Sequence, residues 1–127
     1  MNRFILSRTE AGVQFTLRSH TDRVLAVSKP YATLDACKKA IRALMQHAPT
    51  SPVVEVGISH SNPKFELAVG DEGCFYELKA PNGKTVLSAG PFATKKACLR
   101  ALSMLRTGVQ DVTVWLEQYR TLLPLTI

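Results

Sequence analysis

Apolar and polar side chains alternate from residue 3 to residue 8: Phe4 and Leu6 face one way, Arg3, Ile5 and Ser7 the other. A period of two predicts a half-buried strand. Glu10 and Gly12 then turn the chain, Gly12 being free to take positive φ. Val13, Phe15 and Leu17 alternate with Gln14, Thr16 and Arg18 and predict a second strand. A polar turn over residues 19–23 leads to a third strand over 24–27, which stops near Pro30 because proline cannot donate to a ladder. At Thr33 the period changes. Cys37, Ala40, Ile41, Leu44 and Ala48 recur at helical spacing, predicting a helix capped by Thr33 and running to about His47. Pro49 and Pro52 break it, and residues 53–58 predict a fourth strand.

The same order of elements then returns. Phe65, Leu67 and Val69 form the inward face of a strand, and Cys74, Tyr76 and Leu78 that of the next, with Phe75, Glu77 and Lys79 outward. The turn between the second and third strands contains Asn82-Gly83, a strong hairpin signal. A third strand is predicted over 85–88. Thr94 caps a helix with the stripe Ala97, Cys98, Ala101, Leu102 and Leu105, and Gly108 is expected to end it. Residues 112–119, carrying Trp115, predict the last strand.

The recurrence is a repeat in the residues themselves. Pro30, Ala32, Thr33, Ala36 and Cys37 come back 61 positions later as Pro91, Ala93, Thr94, Ala97 and Cys98. The same offset matches Phe4 to Phe65, Leu6 to Leu67, Gly12 to Gly73, Leu17 to Leu78 and Leu44 to Leu105. An ungapped register of this length indicates two copies of one unit, each too small to bury a good core alone. The expectation is an α+β fold: two tandem β-β-β-α-β repeats forming one antiparallel-rich sheet of roughly eight strands, with two helices packed on one face. Residues 1–127 read as a single domain, with repeat one over 3–60, repeat two over 64–120 and an apolar C-terminal tail over 121–127.

Ser28, Lys29, Pro30, Tyr31 and Thr33, followed by Ala36, Cys37, Ala40 and Ile41, form a pattern that resembles the YegP-like family of small bacterial proteins. So does the second copy, from Ala89, Gly90, Pro91 and Phe92 through Ala97 and Cys98 to Ala101 and Leu102. Phe4, Phe65 and the Asn82-Gly83 turn fit as well, and the resemblance spans nearly all of residues 3–120. It implies a tandem β3-α-β fold in a single sheet, with the last strand of each unit exchanged onto the other. The family often has Gly where this chain has Ala40 and Ala101, which implies slightly wider helix-to-sheet packing. Its function is unknown, so the resemblance supplies a fold and no catalytic residues.

Composition adds exclusions. The chain is 46% hydrophobic and 20% charged, which argues against disorder. No apolar run approaches the ~20 residues of a membrane helix. Residues 1–8 read as a strand rather than a signal peptide, so a cytoplasmic location is expected. Cys37, Cys74 and Cys98 lack metal-type spacing and are expected as small buried thiols. His20, His47 and His60 have no repeat partners and read as surface residues. No nucleophile triad, Gly-rich phosphate loop or metal-ligand cluster is present, so neither catalysis, a cofactor nor a metal is expected.

Charge gives the first candidate site. The helices hold Lys38, Lys39, Arg42, Lys95, Lys96, Arg100 and Arg106 against the single acid Asp35, so the whole net charge of +6 lies on them. If the helices lie side by side, these residues make one basic surface suited to nucleic acid or another anionic partner. Lys95 and Lys96 stand in a first helical turn, where the dipole disfavours a cation by about 0.3–1 kcal/mol. A solubilising face is the competing reading. The second candidate is the tail. Leu122, Leu123, Leu125 and Ile127 either fold back on their own domain or dock on a protein partner or second copy. The outer sheet face and an edge strand are further protein-binding candidates. No membrane contact is expected.

Overall fold

A computed structural model describes residues 1–127. In chain order the elements are β1 (Asn2–Thr9), β2 (Gly12–Arg18), β3 (Val24–Ser28), α1 (Leu34–His47), β4 (Val53–Glu55), β5 (Lys64–Gly70), β6 (Gly73–Lys79), β7 (Thr85–Phe92), α2 (Lys95–Gly108), β8 (Val112–Gln118) and β9 (Thr121–Pro124). The nine strands form one mixed sheet in the order β4-β5-β6-β7-β3-β2-β1-β8-β9. The fold is α+β. No helix is long and apolar enough to cross a membrane.

Two antiparallel meanders, β1-β2-β3 and β5-β6-β7, meet where β3 runs antiparallel to β7. The seam is short: Val27 pairs with Ser88 and Ser28 with Leu87. Each meander also has a free outer edge, at β1 and at β5, which the other half covers. β4 pairs parallel with β5, placing Val53 opposite Phe65, and β8 pairs parallel with β1, placing Val114 opposite Phe4. The strand exchange implied by the family resemblance is therefore present, and it occurs within one chain.

The inward faces predicted by alternation are the buried ones except at Val69, which was placed inward but lies 62% exposed at the end of β5, beside the turn into β6. Phe4, Leu6, Phe15 and Leu17 join Phe65, Leu67, Tyr76 and Leu78 in one core cluster under both helices. Phe4 and Phe15 meet edge-to-face at 5.4 Å. The helices present Cys37, Ile41, Leu44 and Ala48, and Cys98, Ala101, Leu102, Leu105 and Val109. Both start as expected: Thr33 Oγ1 accepts from Ala36 N and Thr94 Oγ1 from Ala97 N, each at 3.1 Å. A cap of this kind contributes about 1 kcal/mol.

A matched irregularity sits beside the seam. Between Leu17 and Arg18, and again between Leu78 and Lys79, the register shifts, leaving Leu25 of β3 and Val86 of β7 as the unpaired bulge residues. A tyrosine satisfies each carbonyl, from a different place in each half. Tyr76 Oη of β6 donates to Leu25 O at 2.6 Å, and Tyr31 Oη, after β3, donates to Val86 O at 3.3 Å. The residues 61 positions from these tyrosines, Phe15 and Phe92, carry no hydroxyl.

Several expectations need correction. The fourth strand spans 53–55 rather than 53–58, and β7 continues to Phe92 rather than stopping at residue 88. Ala97, placed in the buried stripe, is exposed. The tail supplies a ninth strand where eight were expected. Gly108 is not a left-handed cap, because Val109 closes the helix in the right-handed region. Its missing side chain makes room instead for the Asn2 amide, which a Cβ at residue 108 would strike. Gly12 and Gly73 do adopt positive φ, 136° and 129°, and the backbone carbonyls of Tyr31 and Phe92 pass too close for a side chain.

Candidate functional site

The two ends of the sheet are built alike but finished differently. At one end β9 covers β8: Leu116 faces Leu123, Glu117 faces Leu122, and Leu125 N donates to Val114 O at 2.8 Å. Leu123 and Leu125 thus lie on the helix side of the sheet and Leu122 on the outer side. Leu125 and Ile127 are half-buried against the core, in a hollow shared with Met45 and Val112. Three of the four tail candidates are therefore partly covered by their own domain, and Leu123 is the exposed one.

At the other end no strand lies outside β4. Phe65 N bonds to Pro52 O and Val56 N to Leu67 O, so residues of that parity face β5, and the backbone groups of Val53 and Glu55 point outward. Glu55 O accepts from Ile58 N in a turn. Val53 pairs with Phe65 as Val114 pairs with Phe4. It is 36% exposed where Val114, under the tail, is 8% exposed. Val56, Ile58 and Leu99 are also exposed apolar side chains. Between α2 and β4 lies an open cleft of about 420 Å³ lined by Pro49, Val53, Leu99, Leu102, Arg106 and Thr107.

The helices touch through their C-terminal ends, where Arg106 Nε donates to Ala48 O at 3.3 Å and Gln110 Nε2 to Met45 O at 3.1 Å. Lys38, Lys39 and Arg42 lie on α1, which packs over β2, while Lys95, Lys96 and Arg100 lie on α2, over β6, β3 and β7. Two of the seven are engaged within the chain. Arg106 donates to the carbonyls of Ala48 and Pro49 just past the end of α1, a favourable place for a cation. Lys95 forms an ion pair with Glu55 across the rim of the cleft, and that hydrogen bond raises its pKa above the usual lysine value. The first-turn cation at residue 95 thus has a structural partner. Lys38, half-buried, and Lys39, Arg42, Lys96 and Arg100, all exposed, make no ion pair.

Two further depressions flank the seam. On the helix side, Arg23 and Arg100 stand at a cleft of about 490 Å³ walled by Val24, Leu25, Ala101 and Met104. Arg23 was missed as a site residue because it lies in a turn, although the residue 61 positions on, Lys84, is also basic. On the outer side, Ala68, Phe75, Val27 and Pro91 line a hollow of about 550 Å³. All three cysteines are buried. Burial pushes the Cys37 thiol up to about 11, and burial with the adjacent Cys74 pushes Cys98 up to about 12. These are resting thiols rather than nucleophiles. No three His, Cys, Asp or Glu side chains converge as metal ligands would.

The architecture defines a small α+β domain with one large mixed sheet and both helices on one face. Residues 11–55 match the family model of a domain of unknown function, DUF1508. The fold is that of yegP from E. coli, a protein of unknown function solved by NMR: TM-score 0.78 at 17% identity, covering 94% of this chain and 96% of that one. A UPF0339 protein from Shewanella oneidensis, also solved by NMR, gives 0.76 at 12% identity, covering 93% and 94%. The fold is YegP-like. At these identities the two solved structures speak for the fold alone. Among curated proteins none matches the chain.

Proposed function

We propose that this protein is a non-catalytic, cytoplasmic protein-binding module that takes its partner at the open end of the sheet, on the edge of β4 and in the cleft under α2. The observation that carries the reading is the difference between the ends. The apolar floor that β9 and the tail cover at β8 is uncovered at β4, where outward backbone groups stand beside exposed Val53 and Leu99. Edge strands of this kind are normally blunted or paired, and strand addition is a recurrent way of binding extended peptides. Three free, buried thiols support a reducing compartment. We read the two halves as copies of one unit. Support comes from the pairing of Val27 with Ser88, 61 positions on, and from the shared register of Val53 on Phe65 and Val114 on Phe4.

Panning a random-peptide display library against the full chain tests the reading. Enriched peptides are expected to lose binding to Leu99→Glu and keep it with Phe75→Glu, which alters the outer hollow. Failure to enrich, or binders indifferent to Leu99→Glu, rejects it.

A second reading rests on Arg23 and Arg100, two guanidiniums without carboxylate partners beside an apolar cleft. It predicts binding of an anionic partner, nucleic acid included, that weakens steeply between about 50 and 200 mM salt. Unchanged affinity after reversing both arginines to Glu excludes it.

A further inference from the structure

We infer that the β4 groove accepts an extended segment running antiparallel to β4, with an apolar residue opposite Val53 and a carboxylate two residues later. The inference rests on the protein-binding reading above and names the partner's chemistry. Its template is the chain's own covered end, because two pairs of positions 61 apart, Val53 with Val114 and Met45 with Arg106, line the two grooves.

At the covered end the incoming strand is β9 with the residues after it. Leu125 N donates to Val114 O, and the Leu125 side chain rests on the core. The equivalent of Val114 is Val53, whose carbonyl points outward with no strand beyond it. A partner residue at the place of Leu125 therefore donates to Val53 O and sets its side chain on Val53 and Leu102. That pocket is apolar, so the residue is apolar.

The neighbouring positions differ between the ends, and the differences specify the partner. Ile127 shares its hollow with Met45. The equivalent of Met45 is Arg106, which lines the open cleft and has carbonyls, not a carboxylate, as its partners. A residue at the place of Ile127 meets a guanidinium, and a carboxylate satisfies it. Leu123 faces Leu116, whose equivalent is Glu55, paired with Lys95. A residue at the place of Leu123 meets that ion pair and is polar. The turn bond from Ile58 N to Glu55 O limits the ladder to a few residues. The chain's own tail does not fit this order, having an isoleucine where the carboxylate belongs, and it is already seated on β8.

Two C-terminally amidated peptides test the inference against the full-length protein: the tail sequence 121–127 and the same sequence carrying Ile127→Glu. In amide-shift titrations the acidic peptide is expected to perturb Val53, Glu55 and Leu99, and to bind about tenfold more tightly than the tail peptide, the size of one charge-assisted contact. Arg106→Met is expected to abolish that preference. Leu99→Glu, a change at an exposed position, is expected to weaken the acidic peptide by at least as much, and it keeps the test open if Arg106→Met does not fold. Equal affinity for both peptides, shifts confined to Val112, Val114 and Leu116, or no binding at millimolar peptide overturns the inference. If display-selected binders still depend on Leu99 in that case, the protein-binding reading stands and only the partner chemistry is wrong.

Discussion

Replacing Tyr76 by Phe removes one hydroxyl from the core and leaves the ring where Phe15 already sits in the other half. Tyr76 is 1% exposed, and its hydroxyl is 2.6 Å from the carbonyl of Leu25, the bulge residue that the ladder leaves unpaired. No water reaches that carbonyl easily, so its loss of a partner costs about 1–3 kcal/mol. For a domain of this length that is a fall of about 4–12 °C in Tm. Tyr31→Phe is the internal comparison: its bond to Val86 O is 3.3 Å long and its side chain is half-buried, so the expected cost is smaller, below about 1 kcal/mol. Phe92→Tyr in the Tyr76→Phe background moves the hydroxyl to the position used by the first half and is expected to restore part of the loss. Urea unfolding of the four proteins, followed by circular dichroism, measures all three terms. A neutral Tyr76→Phe, or equal costs at residues 76 and 31, refutes the reasoning.

Alkaline pH should destabilise the fold. Burial raises Tyr76, raises Tyr31 to about 12, Cys37 to about 11 and Cys98 to about 12, so the folded state holds these protons longer than the unfolded chain does. Their contribution is complete below the unfolded thiol range and is lost as pH rises from about 9 upward, and urea midpoints at pH 7, 9 and 10.5 should fall in that order. Gly108→Ala, stabilising by about 0.5–1 kcal/mol in an open helix, should instead destabilise by about 1 kcal/mol or more, because the new methyl strikes the Asn2 amide. Removing residues 121–127 should bare Val114 and Leu116, lower Tm and raise dye binding to apolar surface, and an unchanged Tm would place the tail's contacts outside the cooperative fold.

Local signals carried much of the fold. The alternation at Phe4, Leu6, Phe15 and Leu17, the caps at Thr33 and Thr94 and the turn glycines at 12 and 73 each depend on neighbours within a few residues, and they lie where the sequence put them. The strand exchange joins residues 53–55 to 65–67 and 112–116 to 2–6, and no local pattern states it; it came from the family resemblance. Gly108 misled because its role is to admit Asn2, more than a hundred residues away in sequence. The tail had no alternation to mark it as a strand, since Leu122 and Leu123 are adjacent and face opposite sides.

The candidate site was less legible. Helical spacing turned Lys39, Arg42, Lys96 and Arg100 to solvent, but where the two helices touch, at their C-terminal ends, depends on residues far apart in the chain. Arg106 and Lys95 looked free because their partners, the Ala48 carbonyl and Glu55, lie 58 and 40 residues away. The open groove is visible only when the two ends of the sheet are compared.

Intermolecular NOEs on the full chain, with its valine and leucine methyls labelled and the acidic heptapeptide bound, test the central claim most directly. The account predicts contacts from the peptide's apolar residue to Val53, Leu99 and Leu102, with those of Val114 and Leu116 to the chain's own tail preserved. Contacts to Val114 and Leu116, showing the tail displaced, or to Val27 beside the outer hollow, would contradict it.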